Sequence, residues 1–310
     1  MKILLIGANG QLGWELKSSL AALGTLTAFD HAGFDLTRPD QFTKRLRELK
    51  PEIIVNAAAY TAVDRAEGEL ESAHAVNALA PGILGIEAKR LGALLVHFST
   101  DYVFDGELTR PYRESDKPNP LSVYGKSKLE GELAILASGC RHLILRIAWV
   151  YGVHGANFLK TILKAAHVEV ARDQRELAAH VKIERNKPEL RVVNDQWGAP
   201  ISTLRLAGVL PLLLAKLNGS GQAFSGSPGL YHLSPLGGTT WYEYALHIVT
   251  RFNINADILP TTTQLMDRPA KRPANSLLDS ARFLHDFNLS VGHWHEGFEE
   301  VRRALSSMHN

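Results

Sequence analysis

The 310-residue chain has one cysteine, Cys140. An internal disulfide is therefore excluded, and a reducing compartment is expected. Long apolar runs are also missing. The first, Lys2 to Ile6, stops at Gly7, too short for a secretory core. The stretch from Leu206 to Leu217 contains Pro211 and is too short to span a bilayer. Charge of one sign is scarce too: 34 Lys and Arg against 32 Asp and Glu, net +2, with no basic blocks. Neither nucleic acid nor a membrane surface is thus expected as a partner. There is no internal repeat and no low-complexity linker. What remains is a cytoplasmic globular protein long enough to bury a large core, as one composite unit or two lobes.

What is present begins at the N-terminus. Lys2-Ile3-Leu4-Leu5-Ile6 reads as a central parallel strand buried on both faces. Gly7-Ala8-Asn9-Gly10-Gln11-Leu12-Gly13 follows, and then a helical stretch with Leu12, Leu16, Leu20 and Leu23 on one face. Strand, glycine loop and helix in this order predict a Rossmann dinucleotide site, with a pyrophosphate at the helix N-terminus. The spacing is G-x-x-G-x-x-G. A second strand, Thr25 to Phe29, ends at Asp30, placed to bind adenosine ribose hydroxyls. That carboxylate by itself favours NAD. Asp35 and Leu36 are placed to flank the adenine, while nearby Arg38 suits a 2′-phosphate, so NADH and NADPH both stay open.

Two further strands end in small or hydroxylic residues. Glu52 to Val55 leads into Asn56-Ala57-Ala58-Ala59-Tyr60-Thr61, where small side chains let a cofactor lie against the backbone. Ala93 to Phe98 leads into Ser99-Thr100-Asp101-Tyr102, with Thr100 at the carboxyl end of a strand, where open α/β sheets bind ligands. Tyr124 and Lys128 stand four residues apart, on one face of a predicted helix. An ammonium beside a phenol pushes its pKa down toward neutrality, which would suit proton transfer to a substrate oxygen.

The ordered set Gly7/Gly10/Gly13, Asn56-Ala57-Ala58, Ser99-Thr100-Asp101 and Tyr124/Lys128 resembles the extended short-chain dehydrogenase/reductases. More narrowly, the chain is similar to the dTDP-4-dehydrorhamnose reductase family. The narrow likeness rests on Gly10 to Leu16, Val55 to Asp64, Ser99 to Phe104, Val123 to Lys128 and Arg146 to Tyr151. It continues through Val193 to Pro200, Gly229 to Leu233 and Arg272 to Ser276.

The resemblance implies NAD(P)H-dependent reduction of dTDP-4-dehydro-L-rhamnose, the final step of dTDP-L-rhamnose biosynthesis, in the service of polysaccharide synthesis. It implies that Gly10, Gln11 and Leu12 bracket the dinucleotide phosphates. Asp30, Asp35 and Leu36 serve the adenosine end, and Ala59, Tyr60 and Thr61 line the path to the nicotinamide. Tyr124 is implied as the acid, with Lys128 and Thr100 completing the catalytic set. Thr100, Asp101 and Trp149 are implied at the sugar, and Arg272 at the diphosphate. Some members bind magnesium through glutamates at a homodimer contact, and Glu15 matches one such position. No carboxylate cluster here demands a metal, and none is assigned; His293-x-His295 reads as part of a wet amphipathic helix.

The expected architecture is α/β, a Rossmann-type doubly wound parallel sheet with a smaller, discontinuous α/β substrate-binding lobe. Residues 1–150 form the dinucleotide-binding domain, with returning segments near 190–234, and 151–310 mainly form the substrate lobe. Leu190 to Val193 and Leu230 to Leu233 read as short strands re-entering the first lobe. Against the family pattern, a charged, helix-prone insertion is expected between Val168 and Pro188. Two rival functions remain open: a sugar-nucleotide epimerase or dehydratase, and a non-catalytic dinucleotide-binding regulatory subunit. Asp101-Tyr102 after Thr100, in place of an Asp-Glu pair, counts against dehydration.

Overall fold

A computed structural model describes residues 1–166, 188–219 and 229–308. The expected insertion, up to residue 187, lies outside the described residues. The first half alternates strand and helix: β1 (Lys2–Ile6), α1 (Gln11–Ala21), β2 (Thr25–Phe29), α2 (Pro39–Leu49), β3 (Ile53–Asn56), α3 (Val63–Ala66) and α4 (Leu70–His74). A π turn (Ala75–Leu79) then leads into α5 (Ala80–Leu91), β4 (Leu94–Thr100), α6 (Val123–Ser138) and β5 (Arg141–Ile147). Beyond these come β6 (Val150–Tyr151), α7 (Phe158–Ala165), β7 (Glu189–Val193), β8 (Trp197–Gly198), β9 (Ile201–Ser202) and α8 (Thr203–Gly219). The chain closes with β10 (Leu230–His232), β11 (Thr239–Thr240), α9 (Trp241–Arg251), β12 (Asp257–Thr261), α10 (Ala281–Phe287) and α11 (Trp294–Ser307).

Six parallel strands form the main sheet in the order β10-β5-β4-β3-β1-β2. The near-continuous Leu, Ile and Val of its central strands are explained by cover on both faces. On one face, Leu12, Leu16 and Leu20 of α1 and Leu206, Leu210 and Leu213 of α8 pack over Ile3, Leu5, Val55 and Val96. On the other, Phe42 and Leu46 of α2 and Leu84 and Ala88 of α5 cover Leu4, Ile6, Ile54 and Leu95. The apolar stretch with Pro211 is thus a core helix, and no helix among the described residues is long and apolar enough to cross a membrane.

Sequence order reverses across the β1/β3 boundary, because β2 lies on one side of β1 and β3 on the other. That is the topological switch point, where open α/β sheets form ligand crevices. A second core gathers Leu159 and Ile162 of α7, Tyr244 and Ile248 of α9, and Phe298 and Val301 of α11, around Leu190, Val192 and Ile258. One expectation is corrected here. Leu230–His232 does return to the main sheet beside β5, but Leu190 to Val193 does not. It pairs in parallel with β12, because its apolar Leu190 and Val192 are buried in the second core.

Candidate active site

The glycine loop is shaped by contact with its neighbours. Gly7 has φ +85, and a Cβ there would come within 2.7 Å of the Ala58 backbone nitrogen. A Cβ on Gly13 would run into the Gly7 carbonyl. The loops after β1 and β3 therefore touch at the switch point, and only hydrogen fits between them. Gly10 differs: a Cβ there would meet only the Gly7 carbonyl, at 3.3 Å. It caps α1 without a side-chain hydrogen bond, and the first turn holds no acidic residue. The backbone N–H groups and positive end of α1 are thus suited to an anion. These residues fit a dinucleotide pyrophosphate. Gln11 accepts a hydrogen bond from Asn157 (3.2 Å), while Leu12 turns its side chain into the core.

At the carboxyl end of β2, Asp30 accepts from Asn9 Nδ2 (2.9 Å) and from the Gly33 N–H (3.0 Å). Asp35 accepts from the Thr37 backbone and hydroxyl. Burial raises its pKa, but these bonds together with His31 and Arg38 hold it net below the usual value. Leu36 is a core residue packed with Phe34 and Phe42. Tyr60 is clamped by Asn77, a residue of the π turn that sequence reasoning missed. Asn77 accepts from the Tyr60 N–H (2.9 Å) and donates to its carbonyl (3.0 Å) and to Ser127 (3.1 Å). The irregular turn lets one helical residue tie the 57–61 loop to α6. Ala59 and Thr61 flank Tyr60 at the mouth of this segment, and both are at least partly exposed.

Helix α6 starts at Ser122, whose hydroxyl accepts from the Gly125 N–H (3.1 Å). A Cβ on Gly125 would collide with the Tyr102 carbonyl, so α6 lies hard against the turn after β4. This brings Tyr124 close to Thr100, whose hydroxyl pulls the phenol's pKa down, and the Tyr102 ring meets the Tyr124 ring edge-on at 5.5 Å. The Thr100 hydroxyl donates to Asp101 Oδ1 (3.0 Å) and accepts from the Tyr102 N–H (3.1 Å). Burial pushes Asp101 up to about 6, against the pull of the Ser276 and Thr100 hydroxyls.

The expected acidification of Tyr124 by Lys128 is corrected. Burial pushes the phenol up to about 12, with Thr100 pulling down and Asp101 pushing up. Lys128 is fully buried, and its Nζ reaches Phe98 O (2.6 Å) and His97 Nε2 (3.1 Å). Burial brings its pKa down to about 8, with Glu132 opposing. The two side chains share a helix face, but the lysine Nζ turns inward to β4.

After β5, Trp149 has φ +49, a strained conformation for a bulky residue and one concentrated at functional sites. Its ring stacks on Trp241 at 3.5 Å and 9°. Gly198 also packs against the Trp149 ring, where a Cβ would enter the indole. Arg272 is paired with Asp64 (2.7 Å) and also donates to Ala270 O. Arg268 faces the same pair, with its pKa lowered by burial and by Arg272. Trp241, Asp64 and Arg268 went unassigned from sequence because their partners are distant in the chain. Glu15 is partly buried and raised by that burial, with His154 at 3.9 Å. Among the described residues, no group of three or more His, Cys, Asp or Glu side chains is placed to hold a metal ion.

Fold and site together define a dinucleotide-binding α/β protein of the short-chain dehydrogenase/reductase class. The chain matches the family described as RmlD substrate binding domain over residues 1–307. It is 39% identical over 324 aligned residues to the dTDP-4-dehydrorhamnose reductase of Escherichia coli K12, covering 99% of this chain and 98% of that one. A crystal structure of the Bacillus anthracis dTDP-4-dehydrorhamnose reductase in complex with NADP matches at TM-score 0.84 and 30% identity, covering 98% of this chain and all of that one. The Clostridium acetobutylicum structure of the same name matches at 0.84 and 35%, covering 99% and 100%. The chain belongs to the RmlD family of dTDP-4-dehydrorhamnose reductases.

Proposed function

We propose that this chain reduces the 4-keto group of dTDP-4-dehydro-L-rhamnose to dTDP-L-rhamnose with NADPH or NADH. The observation that carries this reading is the junction of Tyr124 with Thr100 beside the switch-point cradle. The glycine loop and the start of α1 would hold the cofactor pyrophosphate, and Asp30 would meet the adenosine ribose. The nicotinamide, when bound, supplies the hydride. Tyr124 donates its proton to the oxygen of the carbonyl as charge develops there, and Thr100 gives that oxygen a second hydrogen bond, stabilising charge where it forms. Because burial holds the phenol at about 12, Tyr124 enters protonated, as an acid must. Lys128 would reach the nicotinamide ribose. Asp101 and the Trp149–Trp241 stack border the sugar, and Arg272 and Arg268 present guanidinium groups for the diphosphate.

The assay is NAD(P)H consumption with the 4-keto sugar nucleotide. Stoichiometric oxidation with formation of dTDP-L-rhamnose is expected; a catalytic trace of cofactor sufficing would instead mean an epimerase. Tyr124→Phe is expected to bind cofactor normally and lose about 10²- to 10⁴-fold in kcat, the range for a positioned general acid. Turnover of that variant near wild type would remove Tyr124 from the role. The finer reading of its setting is a cytoplasmic homodimer. The reduced state suited to the lone, buried Cys140 supports the compartment. Exposed Ile86 and Leu133 on α5 and α6 support self-association, which light scattering checks.

A further inference from the structure

Tyr102 stands in the short turn after β4, Asp101–Val103, and each of its groups faces a different part of the site. Its backbone N–H donates to the Thr100 hydroxyl (3.1 Å). Its carbonyl lies so close to the start of α6 that a Cβ on Gly125 would collide with it. Its ring meets the Tyr124 ring edge-on, with centroids 5.5 Å apart, the arrangement that a positive ring edge and a negative ring face favour. The phenol also belongs to the guanidinium side: Arg272 and Arg268 each interact electrostatically with it. Packing of distant segments brings the two sides together. Gly106 has φ +83, and a Cβ there would run into Pro273 and the Ala274 backbone nitrogen. Asn275 donates from Nδ2 to the carbonyls of Leu108 (2.7 Å) and Arg110 (2.9 Å). The loop that Tyr102 opens is thereby stitched to the segment that carries Arg272.

We infer that Tyr102 is a positioning residue, a spacer that fixes the interval between the guanidinium groups of Arg272 and Arg268 and the proton donor Tyr124. It rests on the function proposed above, in which the sugar nucleotide has its diphosphate at the arginines and its keto group at Tyr124. A substrate held at both ends reacts only when the two holders stand at the right separation, and an error of about 1 Å can cost about a hundredfold in rate. Arg272 is fixed from its other side by Asp64 (2.7 Å) and by Ala270 O (3.0 Å). Tyr124 is fixed by α6, which Ser122 caps. The Tyr102 side chain lies between them. Burial and then Asp101 push its phenol up, against the pull of Arg272 and Arg268, and the net value stands above the ordinary one. The hydroxyl therefore keeps its proton at neutral pH, and a guanidinium cannot accept it. Asp64 has both oxygens engaged, by Arg272 and by the Ala270 N–H (3.3 Å). Asp101 Oδ1 accepts from Thr100, and its Oδ2 has no hydrogen-bond partner among the described residues. The O–H of Tyr102 is thus left for a phosphate oxygen, as a third donor beside the two arginines.

Two substitutions separate the hydroxyl from the ring. Tyr102→Phe keeps the ring beside Tyr124 and removes the O–H. It is expected to bind dTDP, which has the diphosphate and no sugar, about tenfold more weakly by calorimetry, the loss that goes with a hydrogen bond to a charged group. KM for the keto sugar nucleotide is expected to rise by the same factor, with kcat and the KM for the cofactor near wild type. Tyr102→Leu removes the ring as well. Its dTDP affinity is expected to match that of Tyr102→Phe, while its kcat falls about tenfold or more because the Tyr124 phenol has lost its seat. Wild-type affinity for dTDP in Tyr102→Phe would overturn the spacer, and so would equal kcat in the two folded variants. Cofactor affinity falling in step with dTDP affinity in both would overturn it too, by making Tyr102 a structural residue only. Where Tyr102→Leu does not fold, the calorimetry of Tyr102→Phe decides alone. Keto-sugar reduction by the wild type keeps the two readings apart. Unchanged dTDP binding in Tyr102→Phe beside normal wild-type turnover removes only the spacer. Weakened dTDP binding beside an inactive wild type supports the hydroxyl at the diphosphate and removes the reaction.

Discussion

Tyr124, Lys128 and Asp101 are each shifted by the same cause, removal from water, and in each the shift disfavours charge. Asp101 has a consequence that can be measured. Its folded pKa of about 6 lies above the ordinary value of 3.8. Its contribution to stability is therefore full below about pH 4 and is lost as the pH rises through about 6. The size is on the order of 3 kcal/mol, at about 1.4 kcal/mol per pH unit. Asp101→Asn is expected to abolish that part of the decline, so wild type and variant should diverge in denaturant stability between pH 4 and 7. Parallel curves would refute the assignment. The residue types at positions 100, 101, 124 and 128 were legible in the chain. Their protonation states were not, because helix spacing told of a shared face but not of an amine turned inward to Phe98.

At the level of elements, the glycine loop separates what folding needs from what a ligand needs. Gly13→Ala forces a methyl into the Gly7 carbonyl, against backbone that cannot yield. It is expected to cost about 2 kcal/mol or more, in the range of overpacking, and to lose cofactor binding with it. Gly10→Ala meets one atom at 3.3 Å. It is expected to leave the Tm within a few degrees of wild type and still weaken dinucleotide binding at least tenfold, measured by nicotinamide fluorescence titration. Equal stability losses in the two variants would argue against this division. The strand–glycine–helix order was readable because each step is local. The placement of β7 beside β12 was not, since pairing depends on which core buries Leu190 and Val192, and the sequence pattern is the same for either.

Across the whole molecule, contacts that join the two halves gather at the site. Gln11 at the start of α1 is bonded by Asn157, which caps α7. Trp149, just after the last strand of the first half, stacks on Trp241 at the start of α9. Arg272 reaches back to Asp64. Trp241→Ala removes the support of a strained Trp149. An aromatic pair contributes about 0.5–1.5 kcal/mol beyond its buried area, so KM for the sugar nucleotide is expected to rise up to about tenfold, with KM for the cofactor unchanged. A matching rise in both would place the stack outside the sugar site.

By itself, the order of residues determined the doubly wound half and the glycine cradle. Each of these follows from a short-range period or from steric demands on a few neighbouring residues. Only the tertiary structure decided the partners separated by tens to hundreds of positions: Trp241 for Trp149, Asp64 for Arg272, and His97 with Asn56 for Lys128. Hydrogen-bond polarity and burial are properties of what surrounds a side chain, and those surroundings exist only once distant segments have packed together.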